Sequence, residues 1–216
     1  MDWLQRVRSA LSGDAAPAVP AAAAKPTLRH SNGLRELTRA WQREEGLAIL
    51  DLGPTSSANI SYVSSLGQKV LHEDLLLASA DSRFQISTEN GPELNTAAFL
   101  AANLNYPADS LDGALLWDLL DYLPADTLQP LVSRLAQSFK PGGMALAYFH
   151  AVAEPTPQPR LRYHIHDAEH LELRPGPPLP IARALNNRAI ERLFSDFRAI
   201  KFFLARDHLR EVLVTK

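Results

Sequence analysis

Apolar residues along this chain change their spacing from stretch to stretch, and the changes predict alternating strands and helices. Trp3, Leu4, Val7 and Leu11 recur at helical spacing, with Arg6 and Arg8 off that stripe and Gly13 behind them. This predicts a short amphipathic helix over 1–13. Residues 14–30 are rich in Ala and Pro without a periodic face and read as a semi-extended linker. The main domain is expected over 31–216. Leu34, Leu37 and Trp41 share one helical face behind an N-cap candidate, Ser31 or Asn32. "LAILDLG" (47–53) is a short apolar run suited to a buried parallel strand. "SANISYVSSLG" follows as a helix, with Ile60, Val63 and Leu66 inward and Gly67 as its stop. "KVLHEDLLL" from Lys69 reads as the second strand, and 78–95 as a loop with a weakly marked helix. "AAFLAANLNYP" reads as a third strand near Phe99, and "DGALLWDLLDYL" from Asp112 as a fourth. Leu128, Leu131, Val132, Leu135 and Phe139 mark a helix ended by Pro141 and two glycines, and "MALAYFH" is a fifth strand.

Residues 151–181 break this rhythm. The proline-rich "EPTPQPR" and "RPGPPLP" flank "LRYHIHDAEHLEL", and so much proline excludes a long helix. Ile190, Leu193, Phe194 and Phe197 then mark one more helix. "AIKFFLAR" and "HLREVLVTK" close the chain as two strands joined by a tight turn near Asp207. The predicted fold is α/β: a Rossmann-like, doubly wound, seven-stranded, mainly parallel sheet with helices on both faces. Its last two strands are connected too briefly for a crossover, so the final strand runs antiparallel.

Composition narrows the function. An apolar share of 46% over 216 residues supports a sizeable core and excludes global disorder. A net charge of −2 argues against a nucleic-acid binder. The charge is unevenly placed: +2 over 1–45, −8 over 46–159 and +4 over 160–216. An acidic middle suits a cationic ligand and a basic end an anionic one; ordinary solvated surface is the plain alternative. No cysteine is present, which removes disulfides, zinc–thiolate sites and thiol catalysis and fits a cytoplasmic protein. No apolar run reaches the ~20 residues that span a bilayer, and "MDWLQRVRSALSG" lacks a signal-peptide core. A tethered N-terminal helix can dock on its own domain or grip a protein partner.

Three segments, in order, resemble the class I S-adenosylmethionine-dependent methyltransferase family, type 11-like. "ILDLG" resembles the first motif, where a strand ends in an acidic residue and a glycine loop. "LNYPADSLDGALLWDLLDYLP" resembles the stretch that leads into the fourth strand and the next helix. "LAQSFKPGGMALAYF" resembles the helix–Lys-Pro-Gly-Gly–strand segment. The likeness covers about 34–150 by motif and 186–216 by element order.

The resemblance implies S-adenosylmethionine as cofactor and a small-molecule or lipid-like methyl acceptor. It places Asp51, Gly53, Thr55 and Ser56 around the cofactor loop. It puts Glu73 on the ribose hydroxyls, with Asp74 as the near alternative, and Asn103 on the adenine. Trp117 falls at the fourth strand's end, where acceptors gather, with Asp118, Asp121 and Tyr122 beside it. The loop after Leu52 is expected to lie open at the carboxyl rim of the sheet. Methyl transfer mainly requires alignment, so no catalytic residue is singled out. The loop departs from the family: only Gly53 remains, followed by Pro54 and the β-branched Thr55, neither suited to a left-handed turn. Ser57 is a candidate cap for the next helix. The alternative reading is a catalytically inactive methyltransferase-fold protein that acts as a binding module. A dinucleotide-dependent oxidoreductase fits the terminal strand pair less well.

The insert adds His164, His166 and His170. Two His at alternate strand positions share a face, but no third ligand is fixed by spacing, so no metal is assigned. A surface hairpin or a cap over the acceptor are the remaining readings. Arg160, Arg162, Arg174 and Arg183 are the candidates to hold an anionic acceptor.

Overall fold

The computed structural model describes residues 7–8, 25–89, 91–153, 158–203 and 209–216. Most of the expected N-terminal helix, most of the linker and the turn near Asp207 lie outside the described residues; Val7 and Arg8 are helical. β1 (Thr27–His30) leads into α1 (Asn32–Trp41), which starts where the Ser31 hydroxyl accepts from the Leu34 amide. β2 (Ala48–Asp51), α2 (Ser57–Ser65), β3 (Lys69–His72) and α3 (Leu75–Ser79) follow. A hairpin of β4 (Gln85–Thr88) and β5 (Gly91–Leu94) precedes α4 (Thr96–Asn103). Then come β6 (Leu111–Trp117), the one-turn α5 (Leu119–Tyr122), α6 (Ala125–Ser138) and β7 (Phe139–His150). β8 (Gln158–Ile165) and β9 (His170–Leu179) form the insert, and α7 (Asn187–Leu193), β10 (Ala199–Phe203) and β11 (Leu209–Thr215) complete the chain.

The main sheet has the order β10-β11-β7-β6-β2-β3. β3, β2, β6 and β7 pair in parallel, and β11 runs antiparallel to both of its neighbours. This is the mixed α/β architecture with a reversed last strand that the resemblance implies. Its described strands number six, one fewer than expected. The "AAFLAAN" run folds as α4 because Asn95 accepts from the Ala98 amide and alanines favour helix once the first turn is capped. The second strand likewise stops at His72: Asp74 accepts from the Leu77 amide and turns the following leucines into α3. The weakly patterned 78–95 stretch holds the β4–β5 hairpin. Thr27–His30, read as the end of the linker, pairs with β9 instead.

Alternation along the strands divides the core. Leu50, Ala114, Leu116, Ala145 and Ala147 face a cluster that includes Val7 and residues of α3 to α7. Ile49, Leu115, Leu146 and Tyr148 face a second cluster with Leu34, Leu37 and Trp41 of α1 and Val63 of α2. The small β1-β9-β8 sheet packs on that second face through Tyr163, Ile165, Leu171 and Leu173. A buried ion pair binds the two sheets: Arg29 donates to Glu211 at 2.6 Å. Glu211 also accepts from the Ser31 hydroxyl and the Gly33 amide. Among the described residues, no helix is long and apolar enough to cross a membrane.

The strand order reverses between β2, which neighbours β3, and β6, which leads outward to β7. In open α/β sheets, ligands settle beyond the carboxyl ends of the strands at such a point. Asp51 ends β2 there and Trp117 ends β6.

Candidate functional site

Asp51 is 2% exposed. Its carboxylate accepts from three donors: the Gly53 amide at 3.1 Å, the Trp117 indole N–H at 2.6 Å and the Asn59 amide group at 3.0 Å. Burial raises its pKa above the ordinary value, and these three donors, with the charge of nearby His72, oppose that rise. Asp51 thus organises the loop from within, leaving no face of its carboxylate turned outward.

Trp117, also 2% exposed, fills the space above the loop. Its backbone sits at φ +51°, uncommon for a bulky residue, and this aims the indole back over β2. A Cβ added at Gly53 would lie 2.6 Å from the indole Cδ1 and 3.0 Å from Nε1. Gly53 is required here for close approach of a side chain of its own chain. The indole stacks on Tyr163 of β8 at 5.2 Å between centroids, and Tyr163 stacks on Tyr148 of β7 at 5.2 Å. The cavity left between Pro54, Thr55, Trp117 and Tyr163 measures about 10 Å³, roughly the room one water needs. Pockets for drug-sized ligands measure roughly 300–1,000 Å³. At this point the loop is packed by Trp117 and Tyr163, and the gap is far smaller than such a pocket.

The insert hairpin seals the same place. Asn59, 1% exposed, donates to the Tyr163 carbonyl at 3.1 Å and accepts from the Ile165 amide at 2.7 Å. One side chain in the first turn of α2 so joins the loop, the helix and β8. Ser56, not Ser57, caps α2 by accepting from the Asn59 amide. Its hydroxyl pairs with His164 Nδ1 at 2.8 Å. Burial, helped by the positive charge of Arg174, lowers the pKa of His164. Thr55 is exposed, with Oγ1 3.3 Å from His72 Nε2, and that ring nitrogen donates to the Gly53 carbonyl at 2.8 Å.

Of the remaining residues expected at the site, Glu73 lies beside the loop, its amide bonded to the Asp51 carbonyl. Its side chain accepts from the Tyr106 hydroxyl at 2.5 Å, while Oε2 is buried without a partner. Burial raises the Glu73 pKa, opposed by the Tyr106 bond. Asp74 is committed to capping α3. Asn103 ends α4 and donates to the Phe99 carbonyl of its own helix at 2.7 Å. Asp51, Gly53, Thr55, Ser56 and Trp117 are thus brought together with Glu73 adjacent, and Asn103 is used elsewhere. Asn59, His72 and Tyr163 were not among the sequence candidates. Asn59 carried one faint signal, a polar residue early in a helix.

Asp118 and Asp121, at the carboxyl end of β6, are fully buried. Burial raises the pKa of both. Asp121 accepts from the His150 amide at 2.6 Å and from His150 Nδ1 at 2.8 Å. Burial works against protonation of His150, but the Asp121 bond and the two aspartates prevail and raise its pKa. Arg160 approaches Asp118 only to 4.0 Å, and neither Asp118 oxygen makes a hydrogen bond. The Tyr163 hydroxyl faces Asp118 without closing a bond of ordinary geometry. A cavity of about 530 Å³ lies away from the loop, between Glu93, Pro124, Asp126, Ile181 and Arg183. The three insert histidines do not converge: His164 meets Ser56, while His170 pairs with Asp167 and lies 5.4 Å from the His30 ring. Among the described residues, no group of three or more His, Asp or Glu is placed to hold a metal ion.

No family model matches this chain, and no curated protein is similar to it in sequence. Several solved structures are similar in shape. One is the 1,6-didemethyltoxoflavin-N1-methyltransferase of Burkholderia thailandensis, solved with 1,6-didemethyltoxoflavin and S-adenosylhomocysteine. It is 13% identical, with 99% of this chain and 87% of that chain covered and a TM-score of 0.48. An S-adenosylmethionine-dependent methyltransferase from Mesorhizobium loti is 15% identical over 83% of this chain and 95% of its own, with a TM-score of 0.46. Another from Archaeoglobus fulgidus is 13% identical over 84% and 94%, with a TM-score of 0.48.

Proposed function

We propose that this chain is a methyltransferase-fold protein whose cofactor rim is closed by its own side chains, and that it works as a binding module. Trp117 carries this reading: it is bonded to Asp51, stacked on Tyr163 and in contact with Gly53, where an adenosyl ligand would need backbone and space. The hairpin that holds it down is attached through buried hydrogen bonds at Asn59, which a bound ligand would have to break. Protein contact through the N-terminal segment belongs to this reading.

A second reading is methyl transfer from S-adenosylmethionine to a small-molecule acceptor after the hairpin lifts. Glu73 favours it, since a buried carboxylate oxygen without a partner at the end of β3 suits a ribose hydroxyl. Calorimetry with S-adenosylmethionine and S-adenosylhomocysteine separates the two. A ligand at about 100 times its dissociation constant stabilises a fold by roughly 2.7 kcal/mol, so thermal shift serves as a second readout. The closed-rim reading expects neither heat nor shift at millimolar ligand. Submillimolar binding by the wild-type chain, lost in Glu73→Ala, establishes the second reading instead.

A further inference from the structure

The hairpin brings two arginines to a second, smaller cavity beside the loop. It measures about 150 Å³, and its walls include Pro54, Asp74, Leu77, Arg160, Arg162 and Gly176. Arg160 is the unusual member. It is 6% exposed, its Nε has no hydrogen-bond partner, and its nearest carboxylate, Asp118, stays at 4.0 Å. Its guanidinium rests over the Tyr122 ring at 5.5 Å, which anchors the group without supplying an oxygen acceptor. The Nε faces Asp118 without bonding to it, so an acceptor in the cavity would meet the other nitrogens of a guanidinium that burial makes costly to leave unmatched. Gly176 lets the two hairpin strands approach closely: a Cβ there would lie 3.0 Å from the Arg160 carbonyl oxygen.

We infer that this cavity binds the phosphate of a phosphomonoester, held between Arg160 and Arg162. The volume is too small for a nucleoside and suits a phosphate with the first atoms of its ester. Asp74 on the wall and Asp118 behind Arg160 oppose any anion, so the ligand must offer oxygens to both arginines at once to overcome them. A phosphate brings three acceptor oxygens and a second charge, which two guanidinium forks can share. Leu77, 54% exposed at the mouth, gives the organic part of the ester an apolar surface beside Pro54. The site rests on the closed-rim reading, because Arg160, Arg162 and Gly176 belong to the hairpin while Pro54, Asp74 and Leu77 belong to the main sheet's rim.

The test is calorimetric titration of the full chain with inorganic phosphate and with phenyl phosphate at constant ionic strength, with acetate and benzoate as controls. Phenyl phosphate is expected to bind several-fold more tightly than phosphate, and the two carboxylates not at all. Arg162→Gln, at an exposed position, is expected to weaken phenyl phosphate at least tenfold with an unchanged melting temperature. Silence with both phosphates, equal binding of benzoate, or undiminished binding by Arg162→Gln overturns the site. Silence of phosphate together with silence of S-adenosylhomocysteine removes this site alone. Heat from S-adenosylhomocysteine without heat from phosphate removes the closed-rim reading as well.

Discussion

If Trp117 lies over Gly53, a single methyl group added at position 53 must collide with it. Gly53→Ala supplies that methyl. The nearest atoms, 2.6 and 3.0 Å from the new Cβ, belong to an indole held by Asp51 and Tyr163, so the ring cannot step aside freely. Inserting a methyl into packing of this kind costs about 1–3 kcal/mol. Trp117→Ala removes the obstacle at its own cost of about 3–5 kcal/mol. In that background the nearest remaining neighbour of the added methyl is Asp51 Oδ1, at an ordinary 3.5 Å. Gly→Ala then stabilises by about 0.4–1 kcal/mol through the unfolded chain, because the Gly53 backbone is not left-handed. The two changes should therefore couple by about 1.5–4 kcal/mol, well above the scatter expected of independent sites. Urea unfolding of the four proteins, followed by circular dichroism, measures the coupling, and melting temperatures check it at about 2–4 °C per kcal/mol for a chain of this length. Additive costs would refute the placement of Trp117 and, with it, the closed rim.

Three further outcomes follow from the same contacts. Asn59→Ala orphans the Tyr163 carbonyl and the Ile165 amide, so it should cost about 2–5 kcal/mol and expose the hairpin to limited proteolysis; unchanged protection there would show that Asn59 does not hold the hairpin. His164 has a folded pKa below its ordinary 6.5, so just below that pH the folded state binds fewer protons than the unfolded one and stability falls as pH drops. His150, raised, has the opposite sign, so the comparison is with His164→Asn: its melting temperature should fall less than wild type between about pH 7.5 and about pH 5.5, and parallel curves would contradict the shift. Val7→Ser should cost about 1.5–3 kcal/mol by thermal melt, because Val7 is fully buried in the core of the main domain; a neutral result would place it outside.

Much of the fold was legible because its signals are local. The runs at 48–51 and 111–117 are apolar throughout, as buried parallel strands require, and the spacing of Leu128, Leu131, Val132 and Leu135 fixes the buried face of α6. The errors came where short apolar runs fit either structure. Leu75–Leu77 and Phe99–Leu100 became helical because Asp74 and Asn95, both good caps, stand just ahead of them. β1 left no trace in its own four residues, since its partner is β9, far along the chain. The loop residues meet one another in a way that their order along the chain does not show. Sequence locates Gly53 and Trp117 at strand ends; only the packed sheet shows that one makes room for the other. Asn103 was placed after a third strand, and the segment that carries it is helical instead.

The pairing of β1 with β9 also bears on how the protein is made. His30 leaves the ribosome long before its cross-strand neighbour His170 has been synthesised. Until then Arg29 has no Glu211 to meet and Leu28 sits on a lone, unpaired strand. Such distant pairing is slow to form and leaves a nascent chain open to foreign strands. Translation of this protein should therefore engage chaperones until its final strand emerges, and a chain cut short before β11 should be recovered as aggregate.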